Sequence, residues 1–216
     1  DGYPNGLTNY LLDGLKQRGA VATFLMVGER VSEVSDVLPR MVNEGHELGN
    51  HTMNHPMCHL TGLGVDDIRT QIDDATNAIK DIAGQAPQVL RPVGGGVNSD
   101  VKAGAAELGY PIINWSVDTE DWKYRDADHV KKAIVEQAQD GDVVLMHDLY
   151  ETSVQGALAA IDELQSRTDK TYAFVTVSQL AAIHGITLEP GVVYNALSDE
   201  VAQQIADGSY SPTEFT

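Results

Sequence analysis

The sequence is poor in cysteine, in positive charge and in long apolar runs, and each shortage excludes something. Cys58 is the single cysteine in 216 residues, so no disulfide can close within the chain. One thiol suits an oxidising or a reducing compartment, and Cys58 reads as a small residue beside a site. Against 32 acidic residues stand 14 basic ones, a net charge of -18. That balance opposes binding to nucleic-acid phosphates or docking on anionic lipid, and tolerates a neutral or cationic partner. No stretch reaches the ~18 apolar residues of a membrane span, and the first residues do not form a signal peptide. A Gly-rich turn after a first strand, the mark of an open doubly wound sheet, is also missing.

What is present is alternation within one large domain, since ~150 residues per domain is the usual size. The chain opens on the turn residues Asp1-Gly2-Tyr3-Pro4-Asn5-Gly6 with no element in front of them. A helix is expected over 8–18, with Tyr10, Leu11 and Leu15 on its inner face and Gly19 as its stop. An apolar strand follows over 22–27, and then a helix carrying Val37, Leu38, Met41 and Val42, capped by Ser35 or Asp36 and ended by Gly45. A strand at 47–50 leads into His51. Ile68, Ile72, Ala75, Ile79 and Ile82 mark a long amphipathic helix over 65–82. Further strands are expected at 89–91, 111–115, 143–146 and 173–176. Helices are expected from a cap at Asn98 or Ser99 through Leu108, and over 127–138, 154–166 and 178–184. The strand-helix unit recurs about six times, which gives an α/β fold with a largely parallel sheet, and a barrel is favoured. In such barrels the site is built on loops at the carboxyl ends of strands, where Asp1, His51 with His55, Arg91, Asp121 and His147 all stand.

His51 and His55 are four residues apart, a spacing that puts two imidazoles on one face of a helical turn and lets both reach one metal ion. Thr52 stands where an H-E-x-x-H protease needs its glutamate, so that chemistry is excluded. A hydrolytic zinc site takes three protein ligands and leaves one position open. Asp1, His51 and His55 fit that count. His147 can serve as the acid for a leaving group, with Asp121 to hold it. The backbone at Gly94 can offer an unhindered N–H to an oxyanion, and Arg91 suits a carboxylate base as partner.

In order, the runs Asp1-Gly2, His51-Thr52-x-x-His55, Leu90-Arg91-Pro92-x-Gly94-Gly95, Trp115-x-Val117-Asp118-x-x-Asp121-Trp122 and Leu145-x-His147-Asp148 resemble the motifs of the polysaccharide deacetylases, the NodB-homology or carbohydrate esterase family 4 enzymes. The run Tyr172-x-Phe174-Val175-Thr176-Val177-Ser178 also resembles the closing strand of bacterial members. The likeness covers nearly the whole chain. It implies a distorted (β/α) barrel of about seven strands, the first missing or incomplete in this chain, with residues 1–194 as the catalytic domain and 195–216 as a tail or extension. It implies that Asp1, His51 and His55 hold one divalent metal, zinc, with cobalt, nickel or manganese as alternatives. Arg91 would brace the base, Gly94 would offer the oxyanion N–H, and His147, paired with Asp121, would protonate the departing amine. Trp122 and Leu145 would shape the pocket for the acetyl methyl.

Two departures from the family pattern matter. The first motif carries a pair of aspartates before its glycine, base and then ligand, and this sequence begins at the second. Residues before Asp1 are therefore expected in the native protein. Gly94 stands where many members carry tyrosine, which alters a contact to sugar more than the chemistry.

The resemblance implies a monomeric, metal-dependent deacetylase acting outside the cell or at the cell wall. It would remove N-acetyl groups from a GlcNAc-containing polymer, peptidoglycan ahead of chitin or acetylated xylan. A non-catalytic carbohydrate-binding relative, and a metal-free structural barrel, are the alternatives. His46, His59, His129 and His184 read as surface or supporting residues, Trp115 as core, and Trp122 as core or pocket wall.

Overall fold

The computed structural model describes residues 6–215. Helix α1 (Leu7–Gln17) buries Thr8, Leu12 and Leu15, while Tyr10, expected inward, is 51% exposed. The Thr8 hydroxyl donates to Asp148 at 2.8 Å. Strand β1 (Thr23–Met26) is followed by a 3₁₀ segment, Gly28–Val34, and by α2 (Leu38–Asn43). The cap expected at Ser35 or Asp36 is absent. Ser35 continues the preceding turn with αR geometry, and α2 starts behind Val37 with a proline in its first turn, where the fixed φ of that ring suits a helix start.

Strand β2 (Glu47–Asn50) pairs in parallel with β1, Thr23 opposite Glu47 and Met26 opposite Asn50. Helix α3 (Val65–Ala83) lays Ile68, Ile72, Ala75 and Ile79 inward and stops at Gly84. Leu90 bridges in parallel to Asn50 on one side and to Ile112 on the other, so the expected strand at 89–91 contributes one ladder position. Helix α4 (Ser99–Glu107) is capped by Asn98, whose side chain accepts from the Val101 amide. Then come β3 (Ile112–Ile113), β4 (Val117–Asp118), the single turn α5 (Asp121–Tyr124), α6 (Ala127–Gln137), β5 (Val144–Leu145) and α7 (Glu151–Gln165). Residues 173–176 form no strand. The Val21 amide bonds the Phe174 carbonyl, after which Thr176 closes a reciprocal capping box with Gln179 and turns the chain into α8 (Val177–Ile183).

Strand β6 (Val193–Tyr194) pairs with β3, so β1, β2, Leu90, β3 and β6 make one parallel ladder, and β4 pairs with β5 beside it. Helices cover the outside, as a (β/α) barrel requires. Among the described residues the ring is not closed. Between β1 and β5 lies a largely apolar cavity of about 720 Å³, lined among others by Leu25, Ile113, Val144 and Phe174. Helix α9 (Asp199–Asp207) lies in the last segment. Phe215 stacks on Trp115 at 4.7 Å, and Tyr210 donates to the Val193 carbonyl at 2.9 Å. Trp115, expected in the core, is therefore half-buried beneath Phe215. No helix of the described residues is long and apolar enough to cross a membrane.

Candidate active site

His51 follows β2 directly and is buried, 2% exposed. The helical turn expected for the pair is absent, because residues 51–55 form an irregular loop in which Thr52 and His55 have φ of 71° and 50°. The rings nevertheless meet edge to face, with centroids 5.1 Å apart. Three side chains, of which Asn50 and Gln71 were assigned no role in the sequence, fix this loop. Asn50, fully buried, donates to the Ile72 carbonyl and to Thr76, and accepts from the Thr52 amide at 2.8 Å. Gln71 accepts from the Met53 and Asn54 amides. The Thr52 hydroxyl accepts from the His55 amide at 3.1 Å. The one available signal was Asn50, a polar residue ending a strand that is buried throughout.

His51 Nδ1 lies 2.7 Å from the Arg91 carbonyl. A carbonyl can only accept, so Nδ1 carries the proton and Nε2 keeps its lone pair. Burial first, and then the charge of Arg91, hold the His51 imidazole well below its usual pKa, so it stays neutral. His55 is exposed at the rim, and such burial as it has is the first cause lowering its pKa. These are the properties of metal-binding imidazoles. Asp1 lies outside the described residues, and among those described no cluster of three His, Cys, Asp or Glu could hold a metal. His51 and His55 thus fit as two ligands of a divalent ion.

Arg91 is buried, and its Nη2 lies 3.2 Å from His51 Nε2. Burial pushes the guanidinium down to about 10, with the Asp121 carboxylate opposing. Asp121, fully buried at the start of α5, accepts at Oδ1 from His147 Nδ1 (2.8 Å) and at Oδ2 from the His147 amide (2.8 Å). Burial raises the Asp121 carboxyl, but the bonds and charge of His147 outweigh it and leave the pKa lowered. Gly94, exposed with φ 63°, sits in a 3₁₀ turn, Val93–Gly95, and its N–H has no partner among the described residues. Leu145, Arg91 and His147 line the cavity beside β5, whereas Trp122 is absent from that lining and is 53% exposed on α5.

Among the described residues the non-glycine residues of positive φ are Thr52, His55, His59, Glu120 and Arg125. Three lie in the loop that carries the histidine pair and the other two cap the ends of α5, which begins at Asp121, and strained backbone of this kind gathers where a site demands it. Of the histidines read as surface or supporting, His46 is buried and His184 half-buried. The His46 ring packs on Phe24 and accepts the Ala22 amide, and His184 bonds Asp199.

A family model described as polysaccharide deacetylase matches residues 1–113. The chain belongs to the polysaccharide deacetylase family. Among relatives of this deacetylase-family chain is the peptidoglycan-N-acetylmuramic acid deacetylase PdaC of Bacillus subtilis. The two are 39% identical over 183 residues, which are 85% of this chain and 38% of PdaC. The peptidoglycan-N-acetylglucosamine deacetylase PgdA of Listeria monocytogenes is 38% identical over 194 residues, 90% of this chain and 39% of PgdA. The chain thus spans 38–39% of the length of these curated relatives. A family 4 acetyl xylan esterase from Clostridium thermocellum, solved with a cobalt ion, superposes with a TM-score of 0.82 at 28% identity, over 91% of this chain and 95% of that one.

Proposed function

We propose that this deacetylase-family chain is a metal-dependent hydrolase that removes N-acetyl groups from the glycan of peptidoglycan, as a monomer at the cell wall outside the cell. The observation that carries the reading is the pair of hydrogen bonds that His147 donates to Asp121, with His147 lining the same cavity as Arg91, which lies against the neutral His51. Asp1, His51 and His55 would hold the ion, zinc in our reading. When bound, it would polarise the acetamide carbonyl and lower the pKa of water.

The chain's own groups do the rest. The Gly94 N–H donates to the acetamide oxygen as charge gathers there, where a fixed donor is worth most. Water adds its oxygen to the acetamide carbon and gives its proton to the carboxylate base that Arg91 would brace, and His147, its Nδ1 fixed by Asp121, gives the proton of Nε2 to the amine nitrogen as the C–N bond breaks, leaving acetate and a free amine. Leu145 would face the acetyl methyl, and Trp122, on the surface of α5, would meet the sugar outside it. The relatives named for peptidoglycan deacetylation support peptidoglycan ahead of chitin and xylan.

The test is acetate release from peptidoglycan, N-acetylated chito-oligosaccharide and acetylated xylan, each with Zn²⁺ and with a chelator. Metal-dependent acetate from peptidoglycan is expected; acetate from xylan alone would sink the amide reading.

A further inference from the structure

His59, outside the residues already placed in the site, is linked to Gly94. His59 has φ 57° and ψ 169°, a region that essentially only glycine occupies without strain. Its backbone is held there from both sides, by a bond from its amide to the Pro56 carbonyl and one from the Gly62 amide to its own carbonyl. The result is a ring laid over the Val93–Gly95 turn. A Cβ at Gly94 would stand 2.7 Å from His59 Cε1 and 3.2 Å from each ring nitrogen, and one at Gly96 would stand 3.8 Å from Nδ1. The His59 ring therefore fills the space into which a side chain at position 94 would grow. It lies near enough to His55 for its charge to count, behind burial and Arg91, among the causes that lower the His55 pKa. The ring is half-buried, and neither nitrogen has a hydrogen-bond partner among the described residues.

A residue chosen for the fold alone at this φ and ψ would be glycine. A strained imidazole, left without partners beside an exposed and unpaired N–H, fits a group kept for a ligand. We propose that His59 contacts the substrate and sets its specificity: its ring offers a hydrogen bond to the N-acetylated sugar at the Gly94 turn, in the place residue 94 leaves empty. This rests on the glycan-deacetylase reading above.

The test compares His59→Ala, His59→Gln and His59→Gly with wild type. It uses acetate release from N-acetylated chitotetraose and from peptidoglycan, equilibrium binding of chitotetraose, zinc content and Tm. Loss of one hydrogen bond made equally in the ground and transition states should raise KM and Kd about tenfold and leave kcat within about twofold. Gln should recover part of the loss, zinc content should hold, and Tm of the Gly variant should stay level or rise, because strain is relieved. Gly94→Tyr should weaken binding while the His59 ring fills its space, and combining it with His59→Gly should remove that clash and leave the loss of His59→Gly alone plus the strain of a side chain at φ 63°. Variants that bind and turn over like wild type would overturn the inference and leave the deacetylase reading intact. So would a joint fall of Tm and zinc content, which is the mark of a purely structural histidine, or an unimpaired Gly94→Tyr single variant. If wild type released no acetate from any glycan, the deacetylase reading would fall, and chitotetraose binding would still decide the role of His59: a tenfold weakening supports it and no change overturns it.

Discussion

Both oxygens of the Asp121 carboxylate are taken by one residue, His147, through its ring Nδ1 and its backbone amide, each at 2.8 Å. The two bonds fix the imidazole in position and in tautomer, so that Nε2 is the nitrogen left for proton transfer. His147→Ala should bind zinc and glycan as wild type does and lose about 10²–10⁴-fold in kcat, the usual worth of a positioned acid. Asp121→Asn, which cannot accept at both atoms, should fall in the same direction. Unchanged turnover in His147→Ala at equal zinc content would remove His147 from the acid role.

The lone pair on His51 Nε2 is a consequence of the Arg91 carbonyl holding Nδ1. An ion bound to the folded state alone adds about 2.7 kcal/mol at a hundred times its Kd, which for a chain of this size is a rise in Tm of roughly 5–10 °C. Zn²⁺ should produce such a rise, and a chelator should reverse it. His55→Gln should weaken zinc binding by more than the roughly 10–100-fold that loss of an outer hydrogen-bond partner costs. An undiminished shift in the variant lacking both His51 and His55 would sink the assignment.

Acid should weaken the fold through buried neutral histidines. Burial is the first cause that lowers both His46 and His51 from 6.5, with Glu44 partly opposing at His46 and Arg91 assisting at His51. Each binds fewer protons folded than unfolded. Their stabilisation is therefore complete above about pH 6.5 and declines as pH falls from there toward the lower folded values. The slope is at most about 1.4 kcal/mol per pH unit for each group. Asp121, whose carboxyl is lowered, loses its contribution only below the ordinary carboxylate range. Tm of the metal-free protein should then fall between pH 7 and pH 5. His46→Asn, which keeps an acceptor for the Ala22 amide, should flatten that fall; a level Tm in wild type would show these rings protonated at no cost.

Helices were legible in the sequence because their period is local. The stripe from Ile68 to Ile79 placed α3 to within a residue of its observed end, and Asn98 marked the start of α4. Strand length was less legible, since a ladder needs a neighbour in register: of the strands expected at 111–115 and 143–146, β3 and β5 keep two residues each, 173–176 keeps none, and β4 at 117–118 was not expected. Within the site, residue types were legible and conformation was not. The spacing of His51 and His55 suits a helix, but bonds from Asn50 and Gln71, set by packing against α3, impose a loop. His59 was read as a surface or supporting residue, because nothing in its own neighbourhood shows that it leans on Gly94.

Asn50 joins the strand, helix α3 and the metal-site loop through one side chain. Its amide donates to Ile72 and Thr76, while its Oδ1 holds the Thr52 amide at φ 71°. Asn50→Ala takes the acceptor from the buried Thr52 amide, at about 1–3 kcal/mol if water cannot replace it, while the Ile72 carbonyl and Thr76 keep each other and Tyr110. The same change frees Thr52, whose hydroxyl holds the His55 amide. Tm should therefore fall, and zinc affinity should fall by about tenfold or more even though no ligand atom has been removed. A variant that loses Tm but binds zinc with wild-type affinity would show that His55 reaches its position without the Asn50 network.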